Sequence, residues 1–292
     1  MPAAHVDSAR LLGDVRVLSA DSLQGRATGT AGGEKARRYV AAALERAGLK
    51  PFGASYAQPF EFTAPDSARR RGANVVGYVQ GSADSGRYIV VSAHYDHLGV
   101  RAGQVYNGAD DNASGTATLI ALAQYFAAHR PRHSIIFAAF DAEELGLQGA
   151  RAFVARPPVP RSGLAVDVNM DMVSHSDAGE LYVAGTHHYP ALTPFVERVA
   201  ARAPVKLLRG HDQPSLPPGD DWTSSSDHGP FHAVGIPFVY FGVEDHKDYH
   251  KPTDDFATIT PAFFTKAAET IADFVIELDR NLPVIPAARP AN

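Results

Sequence analysis

An α/β fold with a mostly parallel, mixed central sheet covered by helices on both faces is predicted by three features of this sequence. Short, almost continuous apolar runs at 88–93 (Tyr-Ile-Val-Val-Ser-Ala), 134–140 (Ser-Ile-Ile-Phe-Ala-Ala-Phe) and 165–170 read as strands buried on both sides. Helical patterns separate them, over 113–128 and 143–155. Strands and helices therefore alternate, which is the pattern of a parallel sheet with crossover helices.

Taken in chain order, 31–48 is an amphipathic helix whose end is marked by Gly48. A polar stretch near 63–72 leads into a strand at 74–80. After the three buried runs, strands are expected near 180–184, 205–208 and 237–242, and helices near 190–203 and 261–280. The proline-rich 213–219 reads as a surface loop beside the functional site. The 292 residues suit one large domain: 1–30 as an N-terminal approach segment, 31–282 as a single catalytic unit, and 283–292 as a proline-rich tail.

Composition removes several classes of chemistry. There is no cysteine, so thiolate nucleophiles, disulfides and sulfur-rich metal sites are all excluded. Any metal must be held by imidazole nitrogen and carboxylate oxygen. The formal charge of −5 and the lack of a basic run argue against nucleic acid as a partner. No apolar stretch reaches the roughly 20 residues of a membrane span. The start, Met-Pro-Ala-Ala-His, lacks the basic head and apolar stretch of a secretory leader, which leaves a cytoplasmic protein or a mature exported one.

Polar residues collect where an open α/β sheet forms its sites, outside the carboxyl ends of the strands. Buried runs end in His94-Tyr-Asp96-His97, Asp141-Ala-Glu143-Glu144 and Asn169-Met-Asp171, and Gly108-Ala-Asp110-Asp111-Asn112 precedes a helix. Singly, each has a bland reading: a surface turn, a helix cap, a charged first turn. Together they put many carboxylates in one crevice, where like charges repel unless cations compensate them. A metal centre supplies that compensation. Alternation along the strand lets Asp96 orient His94. Of the adjacent Glu143 and Glu144, one can bind metal while the other faces substrate as a proton shuttle; spacing does not say which.

The runs Ser92-Ala-His-Tyr-Asp-His97, Asn107-Gly-Ala-Asp-Asp-Asn-Ala-Ser-Gly115, Asp141-Ala-Glu-Glu-Leu-Gly146, Asn169-Met-Asp-Met172 and Tyr249-His-Lys-Pro-Thr-Asp254 resemble the M28 family of co-catalytic zinc aminopeptidases. The resemblance implies two Zn²⁺ per chain, with Co²⁺ or Mn²⁺ as substitutes. It implies one ion on His94 and Asp171, the other on Glu144 and His250, and Asp110 as the bridge. Asp111 would follow that bridge, in the family often through a cis peptide. Glu143 would be the general base and Asp96 the partner of His94. His250 is singled out among the 13 histidines by the resemblance alone.

The segment Ser225-Ser-Asp-His228-Gly-Pro-Phe231 is similar to a recurring substrate-side stretch of the family, which makes His228 a candidate substrate contact, with a structural role as the equal alternative. Tyr240 is a candidate contact to a carbonyl oxygen, or simply the end of a strand. Residues 13–33 resemble the approach segment of secreted bacterial members, which implies an exported protein. The implied activity is release of N-terminal residues from peptides with a free N-terminus, by a monomer. Two other activities of the fold compete: a single-zinc glutaminyl cyclase, and a metallo-carboxypeptidase or deacylase acting on blocked substrates. A receptor-like relative stripped of its metals is disfavoured, because all five ligands and the base are present.

Overall fold

The computed structural model describes residues 5–282 other than Pro65, Asp84, Ser85 and Pro218; the expected tail at 283–292 lies outside the described residues. Ten strands and seven α-helices are described: β1 Ala57–Thr63, β2 Arg69–Val79, β3 Tyr88–His94, β4 Gly99–Arg101, β5 Gln104–Tyr106, β6 Ser134–Phe140, β7 Leu164–Met170, β8 Glu180–Ala184, β9 Lys206–Arg209 and β10 Phe238–Gly242. The helices are α1 Ser8–Leu18, α2 Ala31–Ala47, α3 Gly115–Ala128, α4 Gln148–Ala155, α5 Thr193–Ala200, α6 His228–Ala233 and α7 Pro261–Asn281. Eight strands form one sheet in the order β1-β2-β6-β3-β7-β10-β8-β9. The central four, β6, β3, β7 and β10, run parallel, while β2 joins β6 and β8 joins β10 antiparallel. The expected mixed α/β sheet is what the chain forms.

Both faces are covered, as the apolar runs required. Along β3, Ile89, Val91 and Ala93 enter one core with residues of α1, α2, α3 and α7, while Val90 enters another with Phe153 of α4 and Phe231 of α6. Leu11, Val15 and Leu18 of α1 are fully buried in the larger core, so the N-terminal segment is packed into the body of the fold. Thr30 caps the start of α2 through Gly33 N–H, and Gly48 ends it in the left-handed conformation, φ 86°.

Two boundaries differ from expectation: β2 begins at Arg69, within the stretch read as polar, and α4 begins late. The helix read from 143 begins only at Gln148, because the backbone N–H groups of Glu143 and Glu144 are drawn to the Asp96 carboxylate instead. Those residues form a turn, and Leu147 enters the helix from a left-handed conformation.

The chain passes from β3 through α3 to β6 on one side, then through α4 to β7 on the other side of β3. That reversal opens a crevice at the carboxyl end of β3. His94 is the last residue of β3, Asp141 follows β6, and Asp171 follows β7. None of the described helices is long and apolar enough to cross a membrane.

Candidate metal centre

His94 is fixed from behind: its Nδ1–H donates to the Asp96 carbonyl at 3.1 Å, which turns Nε2 into the crevice. There Nε2 lies 3.2 Å from Asp171 Oδ1 and 3.4 Å from Asp111 Oδ1. On the opposite side of Asp111, Oδ2 lies 3.0 Å from His250 Nε2 and 3.7 Å from His97 Nδ1. Glu144 closes this half, Oε2 being 3.5 Å from His250 Nε2 and Oε1 2.7 Å from His97 Nδ1. Two groups of donors with cation-binding spacing result, His94–Asp111–Asp171 and His97–Asp111–Glu144, and they share Asp111.

Asp110, the expected bridge, lies apart from both donor groups. Its Oδ1 accepts from Ser174 N–H at 2.7 Å and Ser174 Oγ at 2.8 Å, and its Oδ2 faces His246 Nε2 at 3.1 Å. The carboxylate is wholly buried and turned away from the other donors. Asp111 is the residue that faces both donor groups, and the cis peptide lies after it, between Asp111 and Asn112. Asp254 seats this turn by accepting the N–H groups of both Asp110 and Asp111, at 2.9 and 3.0 Å. Asn112 ties it to β7 through the Met170 carbonyl.

Asp96 acts less directly than expected. Its carboxylate is 3.7 Å from His94 Nδ1 and accepts instead from the Glu143 and Glu144 N–H groups, while its backbone carbonyl orients the ring. One acid thus positions both the histidine and the paired glutamates. Glu143 Oε2 lies 4.0 Å from His94 Nε2 and lines the cleft.

The cleft holds about 410 Å³ and is walled by Leu147, Met172, Trp222, Tyr240, Val243 and Tyr249 above the acidic floor. Gly219 also lines it, so the proline-rich loop does border the site. Tyr240 is in this wall, its hydroxyl donating to the Asp171 carbonyl at 3.2 Å. His228, read equally as a substrate contact or a structural histidine, has the surroundings of the second. It is fully buried, does not line the cleft, and its Nε2–H donates to the Trp222 carbonyl at 2.7 Å, steadying the wall from behind.

Electrostatics follow from this crowding. Burial and the neighbouring Asp111 push the Glu144 carboxyl up to about 8. Burial also drives Glu143 well above the usual carboxylate range, with Asp171 and Asp227 adding to it against His94. Asp111 goes the other way: burial is outweighed by His250 and His94, which hold it well below the ordinary value. Burial takes the His97 ring down to about 3, leaving it neutral. Carboxyl groups forced to hold protons against their nature become ordinary anions once cations are supplied.

Sequence reasoning gave no role to Arg26, which is fully buried beneath the site. It donates to the carbonyls of Leu18, Tyr95, Asn107 and Gly108, so it joins the end of β3 to the turn that carries Asp111. Only its place in the approach segment hinted at it.

The sequence model of Peptidase family M28 matches residues 74–275. The aminopeptidase YwaD of Bacillus subtilis is 32% identical over 200 residues, 65% of this chain and 40% of that protein. The chain thus spans about two fifths of that relative's length. Among solved structures, a zinc aminopeptidase from Bacillus subtilis superposes with a TM-score of 0.77 at 18% identity, covering 93% of this chain and 95% of that one. A Porphyromonas gingivalis glutaminyl cyclase superposes with a TM-score of 0.78 at 20% identity, covering 94% and 99%. These likenesses fix the fold, and the sequence match over most of the chain fixes the lineage: the protein belongs to peptidase family M28.

Proposed function

We propose that the protein is a metallo-aminopeptidase that hydrolyses the N-terminal peptide bond of peptides with two zinc ions. One observation carries the reading: the two carboxylate oxygens of Asp111 face different donor groups, His94 and Asp171 by Oδ1, His250 and Glu144 by Oδ2. His94 and Asp171 would hold one ion, Glu144 and His250 the other, with Asp111 shared. The donor set fits: it is all imidazole and carboxylate, as zinc accepts, and Glu144 Oε1 is a buried oxygen with no hydrogen-bond partner. Zinc is also the metal named for the similar Bacillus aminopeptidase structure.

When bound, such an ion pair lowers the pKa of a water and polarises the scissile carbonyl. The chain's own groups do the rest. Glu143 reaches into the cleft without being needed as a ligand, so it takes the proton of the attacking water and delivers it to the departing amine. Asp96 fixes Glu143 through its backbone N–H. The acids of the floor, with Asp245 at the rim, offer negative charge to a substrate α-ammonium, which favours cutting at a free N-terminus. The apolar wall of Trp222, Tyr240, Tyr249 and Met172 receives the first side chain, with Tyr240 a substrate contact through its ring. The likeness of residues 13–33 to exported relatives supports action outside the cytoplasm.

The test is hydrolysis of a panel of aminoacyl chromogenic amides, with N-acetylated amides and an N-terminal glutamine peptide alongside, before and after treatment with a chelator. Chelator-sensitive cleavage of free, not acetylated, substrates is expected. Cleavage confined to blocked substrates, or cyclisation of the glutamine peptide without hydrolysis, would overturn the proposal.

A further inference from the structure

His97 sits three residues after His94, on the other half of the centre, and has no place in the ligand set that the resemblance implied. Its side chain is wholly buried, and neither ring nitrogen has a hydrogen-bond partner. Nδ1 nevertheless lies 2.7 Å from Glu144 Oε1, which is itself a buried atom without a hydrogen bond. The two atoms are close but not aligned as donor and acceptor. Leaving a buried polar atom unpaired costs about 1–3 kcal/mol, so two such atoms facing each other need a reason.

The neighbours supply it. Asp111 Oδ2 is 3.7 Å from His97 Nδ1, and His250 Nε2 is 3.0 Å from that same oxygen and 3.5 Å from Glu144 Oε2. Donor atoms of His97, Asp111 and Glu144 all lie within 4.8 Å of one another, and His250 flanks that group through its contacts to the two carboxylates. The His97 ring is also held there: Gly108 packs so close to it that a Cβ at that position would stand 2.4 Å from His97 Cδ2. The left-handed backbone of Gly108, φ 56°, brings the Asp111 turn and this ring together.

We propose that His97 is a further ligand, through Nδ1, of the ion held by Glu144 and His250. This rests on the two-ion reading above. It makes the two positions unlike: His94, Asp171 and Asp111 offer a single imidazole, whereas His97, His250, Glu144 and Asp111 offer two. Imidazole favours zinc over the harder divalent ions, so the His97 position is the tighter and the first to fill.

The test uses the full chain, stripped by chelator and titrated with Co²⁺ alone. Calorimetry of the unaltered protein should show two equivalents. In His97→Asn the tighter equivalent should weaken by at least about tenfold while the other is retained, and the visible cobalt band of the first equivalent should change. Because a buried substitution can impair folding, a second measurement uses the unaltered protein: proton NMR in water of the dicobalt form. Each ligating imidazole gives one hyperfine-shifted exchangeable ring N–H, so three such signals are expected, from His94, His97 and His250. Two equivalents of cobalt with only two signals, or His97→Asn with unchanged affinities, would overturn the role of His97 alone. Binding of a single equivalent by the unaltered protein would sink the two-ion reading with it.

Discussion

Arg26 poses a contest between two large opposing effects. Replacing it with methionine removes four charge-assisted hydrogen bonds to the carbonyls of Leu18, Tyr95, Asn107 and Gly108. At about 1.5 kcal/mol each, these contribute about 6 kcal/mol. Against this stands the cost of burying the charge. Burial brings the guanidinium down to about 10, and a fall of that size from its ordinary value corresponds to about 3 kcal/mol. Arg26→Met should therefore lower the stability of the metal-stripped protein by about 3 kcal/mol, measured by urea unfolding in excess chelator. It should also weaken metal binding, because Tyr95 adjoins His94 and Gly108 leads into Asp111. Apolar replacement of buried charges sometimes stabilises proteins. A variant as stable as the parent, or more so, would show that the desolvation cost prevails and that the clamp does not govern the fold.

Four shorter predictions follow from the same geometry. Asp111→Asn should lose most of its bound metal, whereas Asp110→Asn should keep its metal content within about threefold by elemental analysis, since an amide can still accept from Ser174. Glu143→Gln should bind metal like the parent yet lose about 10²–10⁴-fold in kcat, and substantial residual turnover would remove Glu143 from the proton-transfer role. Buried Asp167, raised by burial to about 8 against Ser92's hydrogen bond, keeps its proton when folded but sheds it near 4 when unfolded. Stability of the metal-stripped protein should thus fall as pH rises from about 4 to 8, by up to about 1.4 kcal/mol per unit from this group, and urea midpoints of Asp167→Asn should lack that slope. Gly108→Ala would press a Cβ against the Asp111 carbonyl at 2.1 Å and the His97 ring, so a drop of at least about 2 kcal/mol in urea unfolding and weaker metal uptake are expected.

What could be seen in the sequence, and what could not, divides by the distance over which the deciding contact acts. The strands β3, β6 and β7 were legible to within a residue because burial on both faces leaves an unbroken apolar run. The edge strand β1 was not: Pro59 interrupts it and its exposed residues dilute the pattern. The start of α4 was misplaced because Asp96, 47 residues away, takes the N–H of Glu143. The choice between Asp110 and Asp111 is the sharpest case. The two are the same residue type side by side, so composition and spacing treat them alike. Their directions are set by Ser174 and His246, 64 and 136 positions from Asp110, with Asp254 beneath the turn at a separation of 143 from Asp111. These contacts engage one carboxylate as an internal brace and leave the other free to face two donor groups at once. A motif can therefore announce that a metal centre exists while leaving open which atom bridges it; the partners that answer this lie on the far side of the fold.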